Sequence, residues 1–470
     1  MYREQIEQYI EAHKEEMLAD IIELCKIDSA KGPYAEGKPF GEGPFQALAK
    51  GLEIGEKYGF AITNYDNYVG TIDLNDKEKQ LDILAHLDIV PGGEGWTVTT
   101  PFEPVIKDGK IYGRGTSDDK GPAMTALYAM RAIRDLGIPV KKNVRLILGT
   151  DEECGSSDIR YYYKKEEEAP MSFSPDAEFP VINLEKGSIH GEFEAEFEKS
   201  EALPRMAAFK CGVKSNVVPP KAYALFEGLD GSETEAFAKQ FEAELGVTFD
   251  VTSENGFLKL EAIGESAHAS TPEKGKNALT ALLTVIDKMD LAECDQLKYV
   301  KALNKMMPHG DNHGAALGVN HEDEISGKLT LAFTMLDVTE TGLKGDFDSR
   351  CPICANEENT FEVVKKQMID NGFNFTTPKM NPSHYVDGDS PFVQTLLKCY
   401  EQYTGEKGEC LAIGGGTYVH HLENGVAFGC ARAEVDNHMH GVDEFAESPQ
   451  LSLSAKIFAQ AIIDLCGEKE

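Results

Sequence analysis

A chain of 470 residues is too long for one ordinary hydrophobic core, and two domains are expected. With 41% hydrophobic and 27% charged residues, and no apolar run near the ~20 residues of a membrane helix, the composition is that of a soluble globular protein rather than a helical membrane protein. The net charge of −34, from 46 basic and 80 acidic residues, argues against nucleic acid or an anionic membrane as a partner.

Residues 2–25 carry apolar side chains at helical spacing (Ile6, Tyr9, Ile10, Met17, Ile21, Ile22, Leu24), which predicts an amphipathic helix. No apolar signal core occurs there, so a cytoplasmic location is expected. A second helix is expected over 44–58. Residues 81–85 form a short apolar run consistent with a buried strand ending at His86, and Pro91, Gly92, Gly93 and the single Trp96 follow in a loop. A helical stripe runs through Met124, Leu127, Met130, Ile133 and Leu136 until Gly137 and Pro139 stop it. Residues 144–150 are a β-rich run that halts at an acidic cluster. Strand, helix and strand alternate, which suggests an α/β sheet. The charged groups fall at strand C-terminal ends, where such sheets place their sites.

The pattern changes near Gly187. Residues 189–198 alternate apolar and acidic side chains with period two, as in a strand with one face in water, and 258–263 and 329–335 look similar. Helical stretches at 232–245 and 275–290 lie between them. This mixture predicts an α+β domain inserted over 187–385 into a catalytic domain made of 1–186 and 386–470. The ten cysteines are scattered, and no disulfide framework is expected. Cys351 and Cys354 form an isolated CxxC without zinc-ribbon or thioredoxin context and read as ordinary thiols in a turn. Neither Gly113-x-Gly115 nor Gly414-Gly415-Gly416 completes a nucleotide-binding pattern. No serine-hydrolase elbow occurs.

Three segments carry the chemistry: Ala85-His86-Leu87-Asp88, the turn 113–121 containing Asp118 and Asp119, and Thr150-Asp151-Glu152-Glu153. Each sets carboxylates or an imidazole at the end of an apolar strand or in a tight turn, where unpaired charge is costly. A dication gathers carboxylates that would otherwise repel, so three such segments in order predict a metal site. His86 is expected to ligate, with Asp88 holding its other ring nitrogen. Asp118 is expected to bridge two ions, since one carboxylate oxygen can serve each. Glu152 and Glu153 are adjacent and cannot point the same way, so one ligates while the other acts on the activated water as general base. Asp119 reads equally as a helix N-cap.

His-x-Asp, then Gly-Arg-Gly-x-x-Asp-x-Lys-Gly, then Asp-Glu-Glu is similar to the motif set of the co-catalytic metallopeptidases that include aminoacylase, carboxypeptidase G and succinyl-diaminopimelate desuccinylase. Within that family the chain most resembles the PepV-type dipeptidases, over its whole length. The resemblance implies a mixed-sheet zinc-peptidase catalytic domain with an inserted, doubled ferredoxin-like lid, and a cis peptide between Asp118 and Asp119. It implies one ion on His86, Asp118 and Asp176 and a second on Asp118, Glu153 and His440. His438 rivals His440, which is preferred because it stands four residues before Glu444. Glu152 is then the base, and Asp88 orients His86. Residues 264–272 resemble the lid histidine motif, which makes His268 the donor to the oxyanion. Asn216, Arg350 and the 414–418 loop, with Gly415, Gly416 and Thr417, resemble substrate-binding positions, the arginine and the loop serving the substrate carboxylate. Asp119 is a candidate for the substrate amine. The activity implied is hydrolysis of the peptide bond of unblocked dipeptides by a two-metal-activated water. The metals implied are two zinc ions, with manganese or cobalt as substitutes, in a monomer. The alternatives are a deacylase of N-acyl amino acids, of acetylornithine or succinyl-diaminopimelate type, and a non-catalytic metal- or amino-acid-binding protein.

Overall fold

The apolar run before His86 forms the strand Lys79–His86, paired in parallel with Asn143–Gly149 on one side and Met171–Ser174 on the other. The structure, a computed structural model, describes residues 2–212 and 214–467. The chain makes two units, one running up to Glu185 and resuming at Tyr385, the other Lys186–His384. The main sheet of the first unit runs Ala61–Tyr65, Val69–Asp73, Asn143–Gly149, Lys79–His86, Met171–Ser174, Gly425–Ala427, Val181–Glu185 in spatial order. Its first two strands are antiparallel to their neighbours and its centre is parallel, a mixed sheet. A strand covered on both faces needs a continuous apolar run rather than an alternating one. Accordingly Leu81, Ile83 and Ala85 enter the large core, while Leu84 enters a smaller one with Val69, Ile147, Tyr162 and Tyr418. The helices Arg3–Cys25, Lys120–Asp135 and Ser448–Cys466 pack on one another and supply the large core. No described helix is long and apolar enough to cross a membrane.

The second unit is built on one eight-stranded sheet, antiparallel throughout, in the order Thr248–Glu254, Phe257–Ile263, Lys221–Glu227, Arg205–Cys211, Thr330–Val338, Gly342–Cys351, Gly187–Glu196, Asn374–Phe375. The period-two pattern appears directly in Gly187–Glu196, where Ile189, Phe193 and Ala195 are buried and His190, Glu192 and Glu196 are exposed. Helices Ala278–Lys288, Asp295–Met306 and Glu362–Asp370 contribute side chains to the core of this unit. The expected helix over 232–245 is interrupted. Gly231–Ala238 gives way to a tighter turn, Lys239–Phe241, and a last turn, Glu242–Leu245. That last turn is tied to the next strand, the Glu242 carboxylate accepting from Phe249 N–H at 2.9 Å. Between Gly187–Glu196 and Gly342–Cys351, Gly191 faces Phe347 and Phe193 faces Gly345. A Cβ on these glycines would lie 2.0 and 2.4 Å from the opposing rings. Cys351 is buried at a strand end, Cys354 is exposed in the turn beyond it, and both are free thiols.

Candidate metal centre

Strand ends and loops of the first unit bring five of the expected ligands together. His86 closes its strand with the ring buried. Its backbone N–H donates to Asp119 Oδ2 at 3.0 Å. Nε2 lies 2.9 Å from Asp118 Oδ1 and 3.5 Å from Asp176 Oδ2. The other oxygen of Asp118 lies 2.7 Å from His440 Nε2, which is 3.3 Å from Glu153 Oε1. Two donor groups result, His86–Asp118–Asp176 and Asp118–Glu153–His440, sharing Asp118. His86 Nε2 and Glu153 Oε1 are buried and make no hydrogen bond, although their neighbours stand this close. Their spacings bracket the edge of about 3.3 Å in a tetrahedron with bonds of ~2.0–2.1 Å. Imidazole nitrogen and carboxylate oxygen are also the donors that zinc, manganese and cobalt accept. The residues present fit a pair of ions.

The electrostatics point the same way. Burial, joined by the charge of Asp118, raises Asp176 to about 7. Burial raises Glu152 well above the carboxylate range, with Asp176, Glu153 and Asp118 adding repulsion against the pull of His86. Burial pushes Asp118 up too, but its contacts with His440 and His86 outweigh that and hold it low. His440 is raised to about 10 by Asp118 and Glu153. Carboxylates crowded in this way repel, and a dication removes the repulsion.

Several expectations are refined by the geometry. The nearest partner of His86 Nδ1 is the Asp88 main-chain carbonyl at 3.0 Å, with the Asp88 carboxylate at 3.5 Å. That carboxylate instead accepts the N–H groups of Glu152 and Glu153, each at 3.1 Å. These amides open a short helical turn and would otherwise lack partners. Asp119 stands at the N-cap position of Lys120–Asp135 but makes no capping bond, because its carboxylate serves the His86 backbone. His438 turns its Nδ1 to the Val442 carbonyl at 3.1 Å, and His440 is the histidine that joins the cluster. The Asp118–Asp119 peptide is cis.

Thr417 is tied to a buried carboxylate. Its hydroxyl and N–H both donate to Glu185 Oε1, at 2.9 and 3.1 Å, and His420 Nδ1 lies 2.9 Å from Oε2. Glu185 is fully buried, so the Thr417 hydroxyl meets its demand for donors, and only Gly415 and Gly416 of the loop are exposed. Tyr418 donates to Asp158, which also accepts the N–H of Thr150 and of Asp151. Gly149 is required beneath it, since a Cβ there would lie 1.9 Å from the Tyr418 oxygen.

The remaining expected residues belong to the second unit. Val217–Val218 pairs with Ala267–His268, and Ala269 N–H donates to the Asn216 carbonyl at 2.9 Å, so Asn216 and His268 share one short ribbon. His268 is exposed, with Nδ1 2.7 Å from Ser270 Oγ. Arg350 lies on Gly342–Cys351 and donates from Nε and Nη2 to the two oxygens of buried Asp348, at 2.7 and 2.9 Å.

Residues 83–464 match peptidase family M20/M25/M40. The chain belongs to this family. It is 37% identical over 461 residues to the putative dipeptidase YtjP of Bacillus subtilis (strain 168), covering 96% of this chain and 97% of that one. It is 36% identical over 469 residues to the Beta-Ala-Xaa dipeptidase of Lactobacillus delbrueckii subsp. lactis, covering 98% of each. Human carnosine dipeptidase 1 shares the fold with a TM-score of 0.62 at 15% identity, over 99% of both chains.

The supports of this M20 centre include groups that the sequence motifs do not mark. Glu444, a spacing landmark in the sequence, is fully buried. Its Oε1 accepts the N–H groups of Gly115, Ser117 and Asp118 at 3.1, 3.0 and 3.3 Å, and its Oε2 accepts from Arg114 at 2.5 Å. Glu185 and Asp158 play similar parts for the 417–418 segment. For Glu185 the signal was a carboxylate closing the largely apolar run 181–184, which implies donors without naming them; Asp158 and Glu444 follow no such run.

Proposed function

We propose that this M20 peptidase hydrolyses the peptide bond of unblocked dipeptides at a centre of two ions, zinc by preference and manganese or cobalt by substitution. The observation that carries the reading is the pair of donor groups joined through Asp118, with the backbone of Glu152 and Glu153 pinned beside it by Asp88. The dipeptide assignment is supported by the names of relatives 36% and 37% identical over nearly the whole chain. Ions so held lower the pKa of water and polarise a carbonyl. Glu152 takes the proton of the attacking water and returns it to the leaving amine. Asp88 fixes its position, and Asp119 fixes the His86 backbone. His268 is assigned as the donor to the oxyanion, and Asn216, Arg350, Gly415 and Gly416 as substrate contacts. Thr417 is reassigned to holding the glycine loop on Glu185. A monomer acting in the cytoplasm completes the reading.

The test is hydrolysis of Ala-Ala, Leu-Gly, β-Ala-His, a tripeptide and an N-acetyl amino acid by metal-stripped protein with zinc or manganese restored. Dipeptides alone are expected to be cleaved. Glu152→Ala is expected to lower kcat by ~10²–10⁴ with metal content unchanged, the range for a lost general base. Turnover of the acetylated substrate alone would move the protein to the deacylases.

A further inference from the structure

The two donor groups are mounted differently. His86 ends a central strand and Asp176 follows Met171–Ser174, so the first group rests on the sheet. His440 sits in an irregular loop with its side chain 52% exposed, at φ 61, between His438 at φ 57 and Asp443 at φ 56. Non-glycine residues hold such backbone only where their surroundings impose it.

Two side chains outside the ligand set do the imposing. Arg114 is buried, and its Nη2 donates to the carbonyls of Gly441, His440 and Pro91 at 2.9, 3.3 and 3.4 Å. Its Nη1 meets Glu444, which also gathers the amides leading to Asp118. One guanidinium thus ties the backbone of the shared ligand to that of the loop-borne one. From the other end of the loop, the Asp443 carboxylate accepts Thr97 N–H at 2.8 Å, Val98 N–H at 2.9 Å and the Thr97 hydroxyl at 2.6 Å. Trp96, beside this latch, lies 5.5 Å from the Arg114 guanidinium.

We propose that Arg114 and Asp443 are positioning residues for the second ion: they hold the His440 backbone against Asp118 and so set that ion's affinity, while the sheet sets the first. The inference rests on the two-ion reading above. Neither residue touches an ion. Their effect is to spare the loop the conformational entropy of ordering when the ion binds. Groups that orient ligands in this way typically change metal affinity 10–100-fold.

The experiment is calorimetric titration of zinc into the metal-stripped full chain, for the parent, Asp443→Ala, Asp443→Asn and Arg114→Lys, with the melting temperature of each stripped protein. The parent is expected to bind two ions. In Asp443→Ala the first step stays and the second weakens at least tenfold. Arg114→Lys weakens the second by as much and the first to a lesser degree, because Arg114 also supports the shared Asp118 through Glu444. Asp443→Asn recovers part of the loss, because its amide oxygen still accepts. Asp443 is only half-buried, so its variants carry the test even if Arg114→Lys fails to fold. Unchanged second-site affinity in Asp443→Ala, or equal weakening of both steps, would overturn the proposal. Fewer than two ions on the parent would overturn the two-ion reading itself, and the proposal with it.

Discussion

At the scale of single residues, burial decides which charges mean something. Asp82 lies in the middle of the Lys79–His86 strand, fully buried, with Oδ1 unpartnered and Lys79 Nζ 3.6 Å from Oδ2. Burial raises it to about 6, against the pull of Lys79 and Arg145. A carboxyl raised in the folded state binds its proton more tightly there than in the unfolded chain. Its contribution to stability is therefore complete below about pH 4 and lost as pH rises through about 6. Asp82→Asn is expected to melt higher than the parent at pH 8 and to show a flatter profile between pH 4 and 6. Melts that keep the parent's slope would refute this. Residues of this kind also show how far the sequence could be read. His86, Asp118, Glu152 and Glu153 stand out because each ends an apolar run or sits in a turn where a charge needs a reason. The destination of the Asp88 carboxylate was not legible, since its partners are backbone amides 64 and 65 positions onward. The pairing of Glu444 with Arg114 was hidden for the same reason, the two being 330 residues apart in sequence and in contact in space.

At the scale of elements, periodicity served where one pattern covered a whole strand or helix. Gly187–Glu196 and Lys120–Asp135 are such cases. Arg205–Cys211 was missed because alanines and cations dilute its alternation, and Met171–Ser174 and Gly425–Ala427 because so few residues carry no period. Their places in the sheets are set by tertiary pairing instead. The glycine–phenylalanine exchange across Gly187–Glu196 and Gly342–Cys351 is a device of that level, each ring covering the glycine opposite it. Gly191→Ala forces a methyl against the Phe347 ring. A loss of about 1–3 kcal/mol is expected from such overpacking, read by denaturant unfolding. Adding Phe347→Leu should return part of it, since the two sites share one space. Additive losses would show that the contact is not the cause.

At the scale of the whole molecule, the five side chains of the two donor groups come from distant segments and meet in one unit that holds many like charges. Ions bound to the folded state alone must stabilise it. Restoring zinc to stripped protein is expected to raise the melting temperature progressively with concentration, by about 2.7 kcal/mol per site at a hundredfold excess over Kd. A concentration-independent melt would contradict a metal centre formed on folding. Light scattering should return the mass of one chain, and a dimer mass would overturn the proposed monomer. The insertion itself was legible as a change from continuous apolar runs to period-two strands near Gly187. That its strands join into one eight-stranded sheet was not, because pairing partners such as Phe209 and Val338 lie far apart in sequence.

The interrupted construction of the first unit also gives synthesis a direction. As the chain leaves the ribosome, His86, Asp118, Glu153 and Asp176 emerge before the whole of Lys186–His384, and His440 only after it. Every member of the first donor group precedes the inserted unit, while the second group waits for His440 beyond it. Messages cut short between Lys186 and His440 would encode every member of the first donor group and never complete the second. Full assembly of the centre thus reports that translation has passed through the inserted unit and back into the first.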